Sequence, residues 1–244
     1  MTVGLKVLAL QDDSSEDMVL YVSPQRSFAI EGSTFTLNIN IANVPSKYPG
    51  VWSYELKLYY NKTVLEGVNI ELPEGHFLTP KIDPANIMIG ICKFYQEDGH
   101  AYVSVSQMWP ELGNTGSGTL VTATFKASTQ GNSTIEIRDE YLCDATTSRA
   151  FWPDEYDIVN GFVQVVPPPD LNSDGEINIE DLALVGLAFG SYPSHPRWNP
   201  KADVNKDDTI DILDLVITVK SLEDCEAKKS NEDYLACVCL GIKI

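Results

Sequence analysis

The sequence predicts two modules of different class, an all-β jelly-roll sandwich over residues 18–166 and a small all-α module of two loop-plus-helix repeats over 170–222. Three observations carry this. Apolar and polar residues alternate with period two through the first part, the signature of half-buried strands. One acidic loop pattern occurs twice in the second part, offset by 33 residues, each copy ahead of a helix-like run. Between the two parts stand three consecutive prolines, Pro167, Pro168 and Pro169, which no entering helix tolerates.

Residues 1–17 hold a short apolar stretch, Val3–Leu10, that is lightly basic and lacks a cleavage site; it reads as a processed leader or a frayed end. Strands are expected at Met18–Val22, and at Phe35, Leu37, Ile39 and Ile41, which alternate with Thr36, Asn38 and Asn40. Trp52, Tyr54, Leu56, Leu58 and Tyr60 alternate with Ser53, Glu55 and Lys57. Further strands are expected at Ile87–Ile91, Ala101–Ser106, Leu120–Ala127, Thr134–Arg138 and Gly161–Val166. Turn residues such as Asn61, Gly75, Asp98-Gly99 and Gly131-Asn132 separate them. Eight or nine short strands without a helical period make a sandwich or jelly roll.

The aromatics admit two readings. Trp52, Tyr54 and Tyr60 share the face of Leu56 and Leu58 and belong to the core. Trp109, beyond a strand end, and Tyr59, on the opposite face, are the candidates for stacking on a sugar ring.

The first acidic loop runs Asp170, Asn172, Asp174, Glu176, Asn178, Asp181; the second runs Asp203, Asn205, Asp207, Thr209, Asp211, Asp214. These are positions 1, 3, 5, 7, 9 and 12 of a twelve-residue EF-hand loop, with position 7 giving its backbone carbonyl. Calcium takes roughly six to eight hard oxygens at about 2.3–2.6 Å, which such a loop can wrap around one ion. Two Ca2+ ions are expected. The second loop has Asp208 at position 6, where glycine is usual; aspartate tolerates a left-handed backbone better than most residues, so the loop is strained but not excluded. Helices are expected over Leu182–Phe189, stopped by Gly190, and over Leu215–Val219. The tail, 223–244, carries no pattern with a reading.

The chain has 17 basic and 35 acidic side chains, net −18, which argues against nucleic acid and anionic membrane surfaces. No apolar run is long enough to span a bilayer. Five cysteines cannot all pair internally; Cys92 and Cys143 read either as a bridge or as free thiols. His76, His100 and His195 fit no ligand spacing, and no nucleophile, zinc or phosphate-loop motif is present, so an enzyme is not expected.

The duplicated loop-and-helix unit resembles a type I dockerin module, on Asp170-Leu-Asn172-Ser-Asp174, Asp203-Val-Asn205-Lys-Asp207 and the aspartate at position 12 of each loop. The sandwich resembles a cohesin domain, on Leu20–Pro24, Gly32–Ile41, Leu56–Leu65, Gly118–Ala127 and Asn160-Gly161-Phe162-Val163. The resemblance implies a nine-stranded jelly roll. It also implies partner contact through loop positions 10 and 11, Ile179 and Glu180 with Ile212 and Leu213. The copies match at position 10 and differ at 11, which weakens a symmetric two-way docking mode.

The expected function is that of a secreted, non-catalytic adaptor in an extracellular assembly that, by family analogy, degrades polysaccharide or decorates a cell surface. Its dockerin-like end binds calcium and plugs into a cohesin, and its cohesin-like end receives a partner dockerin. Two alternatives stand beside it: a carbohydrate-binding sandwich that targets a docked complex to polysaccharide, and a calcium-stabilised surface protein whose modules pack on each other. The proline spacer is expected to hold the modules apart.

Overall fold

The computed structural model describes residues 17–46, 50–79, 86–108, 113–144, 150–151 and 156–229. Twelve strands come first: β1 (Met18–Ser23), β2 (Arg26–Ile30), β3 (Thr34–Val44), β4 (Ser53–Tyr59), β5 (Leu65–Glu71), β6 (Ile87–Tyr95), β7 (His100–Gln107), β8 (Gly116–Ala127), β9 (Gly131–Cys143), β10 (Ala150–Phe151), β11 (Tyr156–Val159) and β12 (Gly161–Val166). Two helices follow among the described residues, α1 (Ile179–Ala188) and α2 (Ile212–Lys229).

The strands form two sheets. One has the order β11-β1-β3-β8-β5; the other runs β2-β12-β9-β4-β7-β6, with β10 added on β9. Alternation on each strand sends one set of side chains between the sheets. On β4 this set is Tyr54, Leu56 and Leu58, all buried, and they meet Leu37, Ile39, Leu120 and Phe125 of the facing sheet in one core. Tyr54 donates its hydroxyl to the Leu120 carbonyl at 2.8 Å, which satisfies its one polar atom there. Burial pushes its phenol well above the ordinary tyrosine range.

β2 and β5 were not expected from the sequence. β2 is five residues long with weak alternation, and it gains its order by parallel pairing with β12. β5 carries an irregularity between Gly67 and Asn69 that breaks its period. Gly67 lies under the Phe94 ring, and a Cβ there would overlap that ring. Cys92 and Cys143 are both free thiols. Cys92 packs against the core and donates to the Ile70 carbonyl.

In the second part, α1 ends at Ala188 and Gly190 follows at φ +77°, the stop its sequence predicted. α2 continues to Lys229, past the residue 222 limit expected from the sequence. Leu171, Val185, Ala188, Ala202 and Ile210 form a small core, with Leu184, Trp198 and Leu215 packed against it. Gly190 and Ser191 pair with Ile210 through Gly190 N to Ile210 O at 2.8 Å and Ile210 N to Ser191 O at 2.9 Å.

The expected separation of the modules by the proline spacer is corrected by the structure. Val166 of β12 clusters with Val204 and Ile217, and Phe28 and Ile30 of β2 pack against them. Gln164 Nε2 donates to the Asn205 carbonyl at 2.7 Å. Three prolines fix their own φ but span only about 3.1 Å each. That reach leaves α2 beside the β2–β12 edge, where burying Val204 and Ile217 outweighs a splayed arrangement.

Candidate metal centre and docking faces

The two loops repeat one hydrogen-bond scheme, bond for bond, 33 residues apart. Asp170 Oδ1 accepts from Asp174 N (3.2 Å) and Oδ2 from Gly175 N (3.0 Å). Asp203 accepts in the same way from Asp207 N and Asp208 N, both at 3.1 Å. Asn172 Oδ1 accepts from Asp174 N, as Asn205 Oδ1 does from Asp207 N. Asp174 Oδ1 accepts from Glu176 N, as Asp207 Oδ1 does from Thr209 N. These bonds curl each chain segment back on its own carboxylate and amide oxygens.

Positions 9 and 12 cap the two helices, a role that the loop pattern concealed. Asn178 caps α1, its Oδ1 accepting from Glu180 N at 2.7 Å, while Asp181 Oδ2 accepts from Asn178 N at 2.9 Å. This is a reciprocal capping box, with two orphan N–H groups of the first turn satisfied. Asp211 and Asp214 repeat it on α2 through Leu213 N and Asp211 N. Position 12 also grips the loop start: Asp181 Oδ1 accepts from Leu171 N (2.7 Å), and Asp214 Oδ1 from Val204 N (2.8 Å). An N-cap pattern, Asn-x-x-Asp and Asp-x-x-Asp, was legible in the sequence but masked by the loop reading.

The donors fit a hard divalent cation. All are oxygens, from carboxylates, amides and backbone carbonyls. The acidic side chains alone form no cluster of three among the described residues, so each set depends on its asparagine oxygens and carbonyls. Asp181 and Asp214 are fully buried, and Asp203 nearly so. Burial holds Asp203 and Asp214 above the usual carboxylate range, and for Asp214 the neighbouring Asp203 charge adds to this. Buried like charges of this kind are relieved by a cation. Asp208 sits at φ +66°, matching Gly175 at φ +88°, so the aspartate accepts the left-handed turn. The side chains of Glu176 and Thr209 are exposed.

Both helices present apolar residues to solvent. Ile179 and Leu187 are each 69% exposed, and Ile212, Leu213, Val216 and Val219 form a matching stripe on α2. Glu180 is exposed as well. The four residues expected to touch a partner therefore lie at the N-terminal ends of their two helices, all accessible.

The outer face of β6-β7-β4-β9 carries aromatic and charged side chains together. Tyr59 stacks on His100 at 5.2 Å, and His100 on Tyr95 at 5.1 Å. The Arg138 guanidinium lies 5.3 Å from the Tyr59 ring and pairs with Glu136. Lys57 Nζ meets Asp139 Oδ2 at 2.8 Å. That lysine hydrogen bond holds the Asp139 carboxyl below its usual range. Glu55 accepts from Tyr102 Oη and Ser104 Oγ. Tyr59, a candidate for sugar stacking, is half-buried with its ring engaged by His100 and Arg138. Trp109, the other candidate, lies outside the described residues.

Comparison with known proteins agrees with these features. Residues 23–149 match the Cohesin domain family, and residues 168–223 match the Dockerin type I domain. No curated protein matches the chain. Among solved structures, a non-cellulosomal cohesin from the hyperthermophilic archaeon Archaeoglobus fulgidus is 14% identical, covering 62% of this chain and 92% of its own, with a TM-score of 0.45. A type I cohesin–dockerin complex from Clostridium thermocellum is 20% identical, with 65% and 99% covered and a TM-score of 0.47. The seventh ScaB type I cohesin from Pseudobacteroides cellulosolvens is 19% identical, with 61% and 91% covered and a TM-score of 0.46. No helix among the described residues is long and apolar enough to cross a membrane.

Proposed function

This chain belongs to the cohesin family and carries a type I dockerin domain behind its sandwich, and from that premise we propose that it is an extracellular, non-catalytic adaptor that joins two partners. Cohesin and dockerin are protein-docking modules, and type I dockerins bind calcium. In this reading each loop holds one Ca2+: Asp170, Asn172, Asp174, the Glu176 carbonyl, Asn178 and Asp181 in the first; Asp203, Asn205, Asp207, the Thr209 carbonyl, Asp211 and Asp214 in the second. Calcium supplies the positive charge that offsets the acidic residues of 170–222, ten against four basic. Ile179, Glu180, Ile212 and Leu213 then meet a cohesin of another chain. A partner dockerin lies on the outer face of β6-β7-β4-β9. The assembly it extends acts on polysaccharide or sits at a cell surface, a step that rests on family analogy.

The observation that carries the reading is the hydrogen-bond scheme repeated across both loops, together with the exposed helix stripe beside it. The outer sheet face supports protein docking over sugar stacking, because its rings are engaged by neighbouring cations and histidine. Calorimetric titration of the full chain with calcium, then with purified type I cohesins in calcium and in chelator, tests it. Two calcium equivalents and chelator-reversible cohesin binding are expected. No calcium uptake would overturn it.

A further inference from the structure

The two halves of the dockerin domain are closed in different ways. In the first half the module closes on itself. Leu171, at loop position 2, is buried in the module's own core, and its carbonyl accepts from Lys201 Nζ at 3.2 Å. Lys201 also donates to Ser173 Oγ. In the second half the equivalent residue, Val204, turns to the sandwich and is buried against Val166 and Ile217. The next carbonyl, that of Asn205, is held by Gln164 of β12 at 2.7 Å. So the sandwich supplies to the second loop the cover that the module supplies to the first.

Val204 and Asn205 belong to both structures at once. Their N–H groups donate to Asp214 Oδ1 at 2.8 and 3.3 Å, and Asn205 Oδ1 accepts from Asp207 N within the loop at 3.1 Å. Their other sides, the Val204 side chain and the Asn205 carbonyl, form the seam with β12. Any ion that fixes Asp203, Asn205 and Asp214 also fixes this peptide. The seam is small and incompletely filled: an open cleft of about 300 Å³ lies beside it, lined among others by Phe28, Phe35, Ile217 and Lys220. Contacts of that size leave modules free to move unless something else holds them.

We infer that the second calcium loop is a latch: calcium bound there locks the dockerin domain onto the β2–β12 edge of the sandwich, and calcium in the first loop does not. This rests on the calcium reading above. Linkage makes the coupling reciprocal, so the seam must tighten calcium at the second loop by the same factor that calcium tightens the seam. Locked in this way, the chain holds its two docking faces at one fixed orientation.

The test uses the full chain. Small-angle X-ray scattering, with and without calcium, reads whether the modules are joined, and calorimetry reads each calcium site. Expected results are that the parent is compact with calcium and extends with chelator, that Asp170→Ala stays compact in calcium, and that Asp203→Ala extends. Gln164→Leu leaves every loop residue intact and guards against simple misfolding; it should weaken one calcium site by about five- to tenfold and spare the other. Equal extension of Asp170→Ala and Asp203→Ala, or two unchanged sites in Gln164→Leu, overturns the latch while the calcium reading stands. A parent that takes up no calcium overturns both.

Discussion

Leu184 and Ile217 hold the same place in the two repeats, 33 residues apart, yet Leu184 packs against the core of its own module and Ile217 packs against the sandwich. The repeat is therefore symmetric in its loops and asymmetric in its surroundings. Ile217 is only 2% exposed, and its neighbours Val166, Phe28 and Ile30 all come from the sandwich.

Truncation at Ile217 should accordingly cost more than a surface change. Ile217→Ala removes a buried side chain at the seam and is expected to destabilise the second part of the chain by about 2 kcal/mol. Chemical denaturation of the calcium-loaded chain, followed by far-ultraviolet circular dichroism, measures it. Val219→Ala, on the exposed stripe of the same helix, should stay within about 0.5 kcal/mol of the parent.

Each loop should be separable by its first carboxylate. Asp170→Ala and Asp203→Ala each leave one backbone N–H, that of Gly175 or of Asp208, without its acceptor and remove a proposed ligand. Each variant is expected to lose one calcium equivalent in calorimetric titration. If both variants bind calcium like the parent, the ligand assignment is wrong.

Asp208→Gly should improve the second loop. Asp208 holds φ +66°, a conformation that costs an L-residue and costs glycine nothing. Thermal unfolding and second-site affinity should both rise, by roughly 0.5–1 kcal/mol. An unchanged or lowered affinity would mean that the Asp208 charge matters more than its backbone.

The docking face of the sandwich predicts a charge-reversal effect. Arg138→Glu removes the guanidinium over Tyr59 and its pair with Glu136, without touching the core. Affinity for a partner dockerin is expected to fall about tenfold or more in surface plasmon resonance, with the fold unchanged by circular dichroism.

His76 gives the sandwich a pH dependence. Its side chain is buried, and burial alone holds the imidazole below the ordinary histidine range. The folded state then binds the proton less readily than the unfolded chain, so the unfolded state gains protons first as pH falls. Stability from neutral His76 is fully present above the unfolded value of about 6.5 and is lost as pH falls towards the folded value. The thermal midpoint should drop on acidification below roughly pH 6.5, and it should drop less in His76→Gln.

The period-two pattern of β3, β4 and β7 was legible because each strand has one face in the core and one in water. β2 and β5 were not legible, since their order comes from pairing with β12 and β8 and from the Gly67–Phe94 approach, which no local period records. Both acidic loops could be read because their geometry is local: twelve residues that hydrogen-bond to themselves carry their own instructions. The capping role of Asn178 and Asp181 was present in the same letters and went unread beneath the metal pattern.

By itself, then, the sequence determined the class of both modules and the repeated pattern of the two loops, since both follow from spacing along the chain. Only the tertiary structure decided that the modules touch. It also decided that Val204 and Ile217 seek the sandwich where Leu171 and Leu184 stay at home, and that Tyr59 lies against His100 and Arg138. Those outcomes depend on which surfaces a folded sheet brings within reach, and burial of apolar area is indifferent to distance along the chain.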